Sequence, residues 1–415
     1  MSLETDVSSL RAIEALRAGV PNQDAVREIG TFQSAILERF RRQLAAVREE
    51  FLHGAVAEGT LVTGGFGSGK SHLLEYLQHI ALQNNFVRSK VVISKETPLY
   101  DPVKVYNAAI QSAKVPGRAG AALTEIAHQL DFNSQGYTHF LQWVKRPDDK
   151  LSAWFAATTF VFEHSKGGLD PGVSDHIIQF WSGNPIRVGD LRGWLRDCGG
   201  EAHYKINTVP AKELALQRYR FAPRMMVAAG YAGWVILIDE VELIGRYSLK
   251  QRARSYAEIA RLMGRLEGEA LPGLTSVFAI TDDFESAIIR DRNDEEKIPM
   301  KLGMGGELLL VSQAKRGMRI IQRDKMRLKP PTEETARESY NTVAALYAKA
   351  YGWNPPADYQ HPDKTKQVRQ YIKQWINTWD LKRLYPGYNP EIETVELKSN
   401  YSEMPELETH PGDET

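Results

Sequence analysis

Cysteine is almost missing from this chain. Cys198 stands alone among 415 residues, so no disulfide can form within it, and a reducing cytoplasm is the expected setting. Long apolar runs are missing too. No stretch approaches the roughly 20 residues that a membrane-spanning helix needs. The opening Met-Ser-Leu-Glu-Thr-Asp has neither the basic lead nor the apolar segment of a secretory signal. Charge of one sign is not in excess: 52 lysines and arginines meet 52 aspartates and glutamates, so any surface for nucleic acid must be a local patch and not a global field. The histidines are scattered without cysteine partners, and no internal repeat or nucleophile triad emerges. These absences leave an ordinary globular chain, long enough for two or three domains or for one elaborated core.

What is present is organised around Gly64-Gly65-Phe66-Gly67-Ser68-Gly69-Lys70-Ser71, followed by His72. The stretch fits G-x-x-x-x-G-K-[ST], and its flanks agree. Thr60–Thr63 before it is short and β-prone, and Leu73, Leu74, Leu77, Ile80 and Ala81 after it recur at helical spacing. In a strand–loop–helix unit of this kind, backbone N–H groups and the positive helix end cradle phosphate oxygens. Glycines 64, 65, 67 and 69 keep side chains out of the cradle. Lys70 is expected to reach the β- and γ-phosphates of ATP, and the Ser71 hydroxyl to bind Mg²⁺. Residues 64–72 are the expected nucleotide-binding set.

A second signal lies far downstream. Trp234 and Val235-Ile236-Leu237-Ile238 read as a buried strand ending in Asp239-Glu240. Ligands of open α/β sheets collect at the carboxyl ends of strands, so Asp239 is expected in the Mg²⁺ shell and Glu240 as the carboxylate that orients and polarises water. Thr275–Ile280 reads as the next strand, and Thr281 at its end is a candidate γ-phosphate sensor or the cap of the following helix.

Around this core the pattern is helical. Ser8–Ala18 and Thr31–Leu52 hold apolar stripes, with Val26–Gly30 read as a linker beside either the adenine ring or ordinary packing. Val91–Ile93 reads as a strand, after which the rhythm breaks. Residues 97–225 are expected to be a mainly helical insertion, with helices over 103–114, 121–130, 151–163 and 186–198; a further helix spans 211–229. Phe132, Tyr137, Phe140 and Trp143 are read as subdomain core in preference to a base-stacking platform. Tyr256–Leu266 is a predicted helix, as are Glu333–Ala350 behind a Pro330-Pro331-Thr332 cap and a segment over 366–379; the last two form a lid. Arg383, or failing it Lys382, is the candidate cation reaching back to the phosphates, against a plain exposed lid surface. Two basic groups, Arg246, Lys250, Arg252 and Arg254, and the run Lys315–Lys329, are solvated faces, phosphate contacts or sources of a trans-acting arginine. Glu391–Thr415 is an acidic tail.

These readings give an α/β chain of AAA+ P-loop type: a parallel sheet flanked by helices, a large insertion and a C-terminal helical lid. The boundaries are 1–59 for an N-terminal helical and linker region, 60–96 with 226–330 for the core, 97–225 for the insertion, 331–390 for the lid and 391–415 for the tail. The sequence also resembles the P-loop ATP-binding proteins of bacterial BREX phage-defence systems, above all the BrxD type. That resemblance rests on the loop at 64–71, on Gly230-Tyr231-Ala232-Gly233-Trp234 leading into Ile238-Asp239-Glu240-Val241-Glu242, on Trp194-Leu195, and on Trp379–Tyr388 followed by Pro390-Glu391-Ile392-Glu393. It implies an ATPase distantly similar to origin-recognition ATPases, using ATP and Mg²⁺ beside a helicase or methyltransferase partner, with a homo-oligomer and a DNA-linked role in prospect. The expected output is hydrolysis that drives or switches a complex; the alternative is a slow or non-hydrolysing adaptor. Transporter chemistry is not expected, since no Leu-Ser-Gly-Gly-Gln signature occurs. Origin-recognition ATPases end in a winged helix, for which the residues after the lid are too few, so direct DNA binding through that module is not expected.

Overall fold

The computed structural model describes residues 7–19, 22–53, 57–146, 150–165, 171–357 and 368–387. The chain starts with three helices: α1 (Val7–Ala18), α2 (Gln23–Ile29) and α3 (Ser34–His53). The segment read as a linker is therefore mostly α2, whose Asn22 cap accepts from Ala25 N. It was hidden because two helical turns hold too few apolar positions to show a period. β1 (Thr60–Thr63), α4 (Lys70–Gln83) and β2 (Val87–Val92) follow.

Next come six helices: α5 (Pro102–Gln111), α6 (Ala122–Gln129), α7 (Gln135–Val144), α8 (Ala153–Ser165), α9 (Pro171–Trp181) and α10 (Val188–Asp197). They lead to α11 (Ala211–Ala228), which returns the chain to β3 (Trp234–Asp239). The six helices do not build a core apart from the sheet. Ile126, Phe155, Trp181 and Leu195 belong to one apolar cluster with Val91, Ile236, Ile238 and Phe278. Trp234 joins the two, stacked on Tyr219 and edge-on to Tyr106. Phe132, Tyr137, Phe140 and Trp143 touch one another within this cluster.

After β3 run α12 (Leu249–Leu262), β4 (Leu274–Ile280), α13 (Asp294–Met304), α14 (Leu308–Arg323) and β5 (Lys325–Arg327). α12 starts before the predicted Tyr256 because Gln251 Oε1 accepts from Ser248 N at 3.2 Å, closing its first turn. The basic run at 315–329 divides into a helix and an edge strand. β5 escaped prediction because three residues carrying two cations give no strand pattern.

The sheet is five-stranded in the order β2-β3-β4-β1-β5, and every pair is parallel. β1, β3 and β4 are buried along their whole length, as strands of a parallel sheet covered on both faces are. α3 and α4 cover one face through Phe40, Leu44, Leu74 and Leu77; the helices following β2 cover the other. Registers Thr63↔Ile280 and Val92↔Asp239 bring the carboxyl ends of the strands to one edge.

The chain ends, as described, in α15 (Glu333–Tyr351) and α16 (Val368–Leu384). Thr332 caps α15, its side chain accepting from Thr335 N. α1 packs with these two helices: Ala12, Ile13 and Leu16 share a cluster with Tyr340, Val343, Tyr347, Ile376 and Trp379. Arg17 fixes the arrangement, donating to both Asp380 oxygens at 2.9 and 3.0 Å and to Tyr351 Oη at 2.9 Å.

Candidate functional site

The glycine loop has the shape that its composition dictates. Gly67 and Gly69 sit at φ +78° and +99°, a region that residues with a Cβ rarely adopt. At Gly64 a Cβ would fall 2.3 Å from Ser68 Oγ. α4 starts at Lys70, with Leu73 N donating to Gly69 O, so the amide groups of its first turn face the loop.

Lys70 curls back over that loop. Its Nζ donates to Gly64 O at 2.9 Å and Gly65 O at 3.2 Å, and lies 4.0 Å from Glu242 Oε1. Ser68 Oγ and Glu242 Oε2 are buried with no hydrogen-bond partner among the described residues, which marks the cavity as polar and incompletely satisfied.

Asp239, at the end of β3, is 3% exposed. Its Oδ1 accepts from Glu240 N at 3.0 Å, and its Oδ2 lies 4.0 Å from Lys90 Nζ. Glu240 takes φ +59°, a left-handed conformation that costs a residue with a Cβ on the order of 1 kcal/mol. The strained residue turns the chain out of the sheet into a 3₁₀ turn over Val241–Arg246. Glu240 and Glu242 then line one cavity with Phe66–Leu73.

The same cavity is bounded by Ile29–Gln33 at and after the end of α2, by Leu328 after β5, and by Ser339 of α15 and Ile372 of α16. His72 Nε2 donates to Gly30 O at 2.7 Å, tying α4 to that wall. Burial lowers the His72 pKa and favours the neutral ring. Burial pushes the Glu242 carboxyl up to about 7, against the lowering pull of Lys70 and helped by Glu240 and Asp239.

Of the residues singled out from sequence, Phe66–His72 and Glu240 face one cavity. Gly64 and Gly65 do not line it; their carbonyls accept from Lys70 Nζ. Asp239 is not among the lining residues and is joined to Glu240 through the Glu240 N–H. Thr281 is buried directly after β4, where Ile280 O accepts from Gly64 N. Arg383 of α16 is engaged by α15: its Nε donates to Tyr347 Oη at 3.0 Å, and its guanidinium lies over the Tyr351 ring. Sequence reasoning missed Glu242 as a site residue. Its signal was a third carboxylate two positions past Glu240, legible only if a tight turn and not a strand follows.

Among the described residues no group of three or more His, Cys, Asp and Glu side chains could hold a metal, and no helix is long and apolar enough to cross a membrane.

An anion-accepting glycine loop, opening a helix at the carboxyl edge of a parallel sheet with carboxylates opposite, defines an α/β protein built to hold a phosphorylated ligand. The family model described as BREX system ATP-binding protein BrxC/D matches residues 7–135 and 205–354. The chain belongs to that family, and with it goes an ATP-binding role in phage defence. The unmatched stretch 136–204 takes in nearly all of α7 and the whole of α8, α9 and α10. No curated protein matches the chain.

Proposed function

We propose that the protein is an AAA+-type P-loop ATPase that hydrolyses ATP to drive or switch a DNA-associated defence complex. The carrying observation is that Lys70, Ser71 and Glu240 line one cavity with the glycine loop. The β2-β3-β4-β1-β5 order supports the same class, since it sets β1 and β3, which bear the loop and the carboxylates, on either side of β4.

In this reading Lys70 exchanges its loop carbonyls for the β- and γ-phosphates. Ser71 Oγ and Asp239 would hold Mg²⁺, which when bound neutralises phosphate charge. Glu240 orients a water and takes its proton as the oxygen bonds to the γ-phosphorus and the bridging bond to ADP breaks. Thr281 is proposed as the γ-phosphate sensor, and Arg383, with Lys382 in reserve, as a lid cation that leaves Tyr347 when nucleotide enters. A head-to-tail homo-oligomer with a trans-acting arginine, a helicase or methyltransferase partner and a cytoplasmic setting complete the proposal.

A slower adaptor role has one observation in its favour: Lys70 is already occupied by Gly64, Gly65 and the nearby Glu242. Phosphate release from ATP, measured for the wild type and for Glu240→Gln with and without Mg²⁺, decides between them. Turnover that needs both Mg²⁺ and Glu240 supports the ATPase. Tight ATP binding without turnover supports the adaptor.

A further inference from the structure

α14 is seated entirely by its inner face. Val311, Ala314, Met318 and Ile321 are buried, and the helix lies so close to α12 that a Cβ at Gly317 would fall 1.9 Å from the Tyr256 carbonyl oxygen. The outer face is free of any packing duty. It presents Leu308, Ser312, Lys315, Arg316, Arg319 and Arg323, all exposed and spaced as one helical stripe. From Leu308 to Arg323 the stripe runs about 22 Å.

The four cations at its far end differ from the other basic residues of this region. Lys250 pairs with Glu307 at 2.9 Å and Arg252 with Asp294 at 2.7 Å. Lys325 is held by Glu285 and Arg327 by Asp282. Lys315, Arg316, Arg319 and Arg323 have no ion pair or side-chain hydrogen bond among the described residues, and α14 contains no acidic residue. A row of like charges that the fold leaves uncompensated repels itself and attracts a polyanion.

The near end of the stripe is apolar. Met304 is 86% exposed, Leu308 69% and Leu309 72%, and with Met300 the α13–α14 hairpin holds four of the eight large exposed hydrophobics described. Such clustering is not the scatter expected of an inert surface.

We infer that the outer face of the α13–α14 hairpin is a contact surface for duplex DNA: the four cations follow the phosphate backbone, and the Met304–Leu308–Leu309 tip packs on sugars and base edges in the adjoining groove. Arrangement favours DNA over an acidic protein. A positive stripe complements any negative surface, but an evenly charged backbone is matched by a line of one sign along its whole length. Apolar wedges beside basic residues are a recurrent device for groove contact. The inference deepens the DNA-associated part of the proposed function and rests on it only there. It is tested without nucleotide, so its failure leaves the ATPase reading standing.

The test uses the nucleotide-free full chain and a labelled mixed-sequence duplex of about 30 base pairs, with binding followed by fluorescence anisotropy across a potassium chloride series. Four phosphate contacts give a log–log salt slope near −3.6, at roughly 0.9 per contact. Arg316→Ala/Arg319→Ala should flatten the slope by about two and weaken low-salt binding on the order of tenfold or more. Leu308→Ser/Leu309→Ser should weaken binding several-fold at an unchanged slope, and Arg327→Ala, whose partner is Asp282, should change little. These changes lie on the surface, and circular dichroism verifies the fold. Absence of DNA binding at the lowest salt, or a wild-type slope in the arginine variant, overturns the inference. So does a polyglutamate peptide that binds as tightly as DNA and is lost in the same variant, which would assign the face to an acidic protein.

Discussion

Lys70 Nζ stands 4.0 Å from Glu242 Oε1, and both side chains are at least nine-tenths buried. The cation proposed to meet phosphate thus faces a carboxylate of its own chain. Lys70→Ala should abolish ATP binding and leave the fold intact, since the loop loses a cation but no core packing. Calorimetry giving equal affinity for variant and wild type would remove the loop from the nucleotide site.

Glu240→Gln keeps side-chain size and Mg²⁺·ATP binding but cannot accept a proton from water. Turnover should fall on the order of a hundredfold or more, with ATP accumulating on the protein. Unchanged steady-state hydrolysis would reassign the catalytic carboxylate, and Glu242 would then be the first to test.

Glu242 carries a pH signature of its own. Its folded pKa, about 7, lies above the unfolded value near 4.3, so the folded protein binds more protons between the two. Its contribution to stability is full below the unfolded pKa and is lost as pH rises through about 7. Glu242→Gln should remove up to about 3 kcal/mol of that decline. Urea unfolding of the nucleotide-free protein from pH 5 to 8 checks it: parallel pH profiles for wild type and variant would contradict the assignment.

Arg252, Asp294 and Tyr256 form a buried set in which Asp294 accepts from Arg252 Nε at 2.8 Å, Nη2 at 2.7 Å and Tyr256 Oη at 2.8 Å. Asp294→Ala strands the guanidinium and should cost about 3–5 kcal/mol, whereas Arg252→Met/Asp294→Leu should cost less than the sum of the single changes. Chemical denaturation of Arg252→Met, Asp294→Leu and the double variant measures the coupling. Additive losses would show that the pair does not act as a unit.

How much of this could be read from sequence depends on local pattern. The glycine loop, β3 and β4 were legible because each carries its signal in consecutive residues. β5 and α2 were not, being short and without period. Four of the six helices after β2 were readable one by one, while α7 and α9 were not; the packing of these helices on the sheet, where Tyr106 meets Trp234 from more than a hundred positions away, is encoded by nothing local. Glu242 was visible as a carboxylate, yet its place in the site depends on Glu240 adopting a left-handed backbone that residues with a Cβ seldom take.

Gln33 joins two distant parts of the chain: its Nε2 donates to Lys329 O at 2.9 Å, and its Oε1 accepts from Lys329 N at 3.0 Å. One part leads from the α1–α2 region into the core, and the other leads from the core into α15. Since α1 packs with α15 and α16, the helical roof over the cavity hangs from the sheet by two tethers, and Gln33 pins them side by side. Entry to and exit from the α1–α2–α15–α16 cluster are thereby coupled through one side chain, beside Phe32 and Leu328 at the cavity wall.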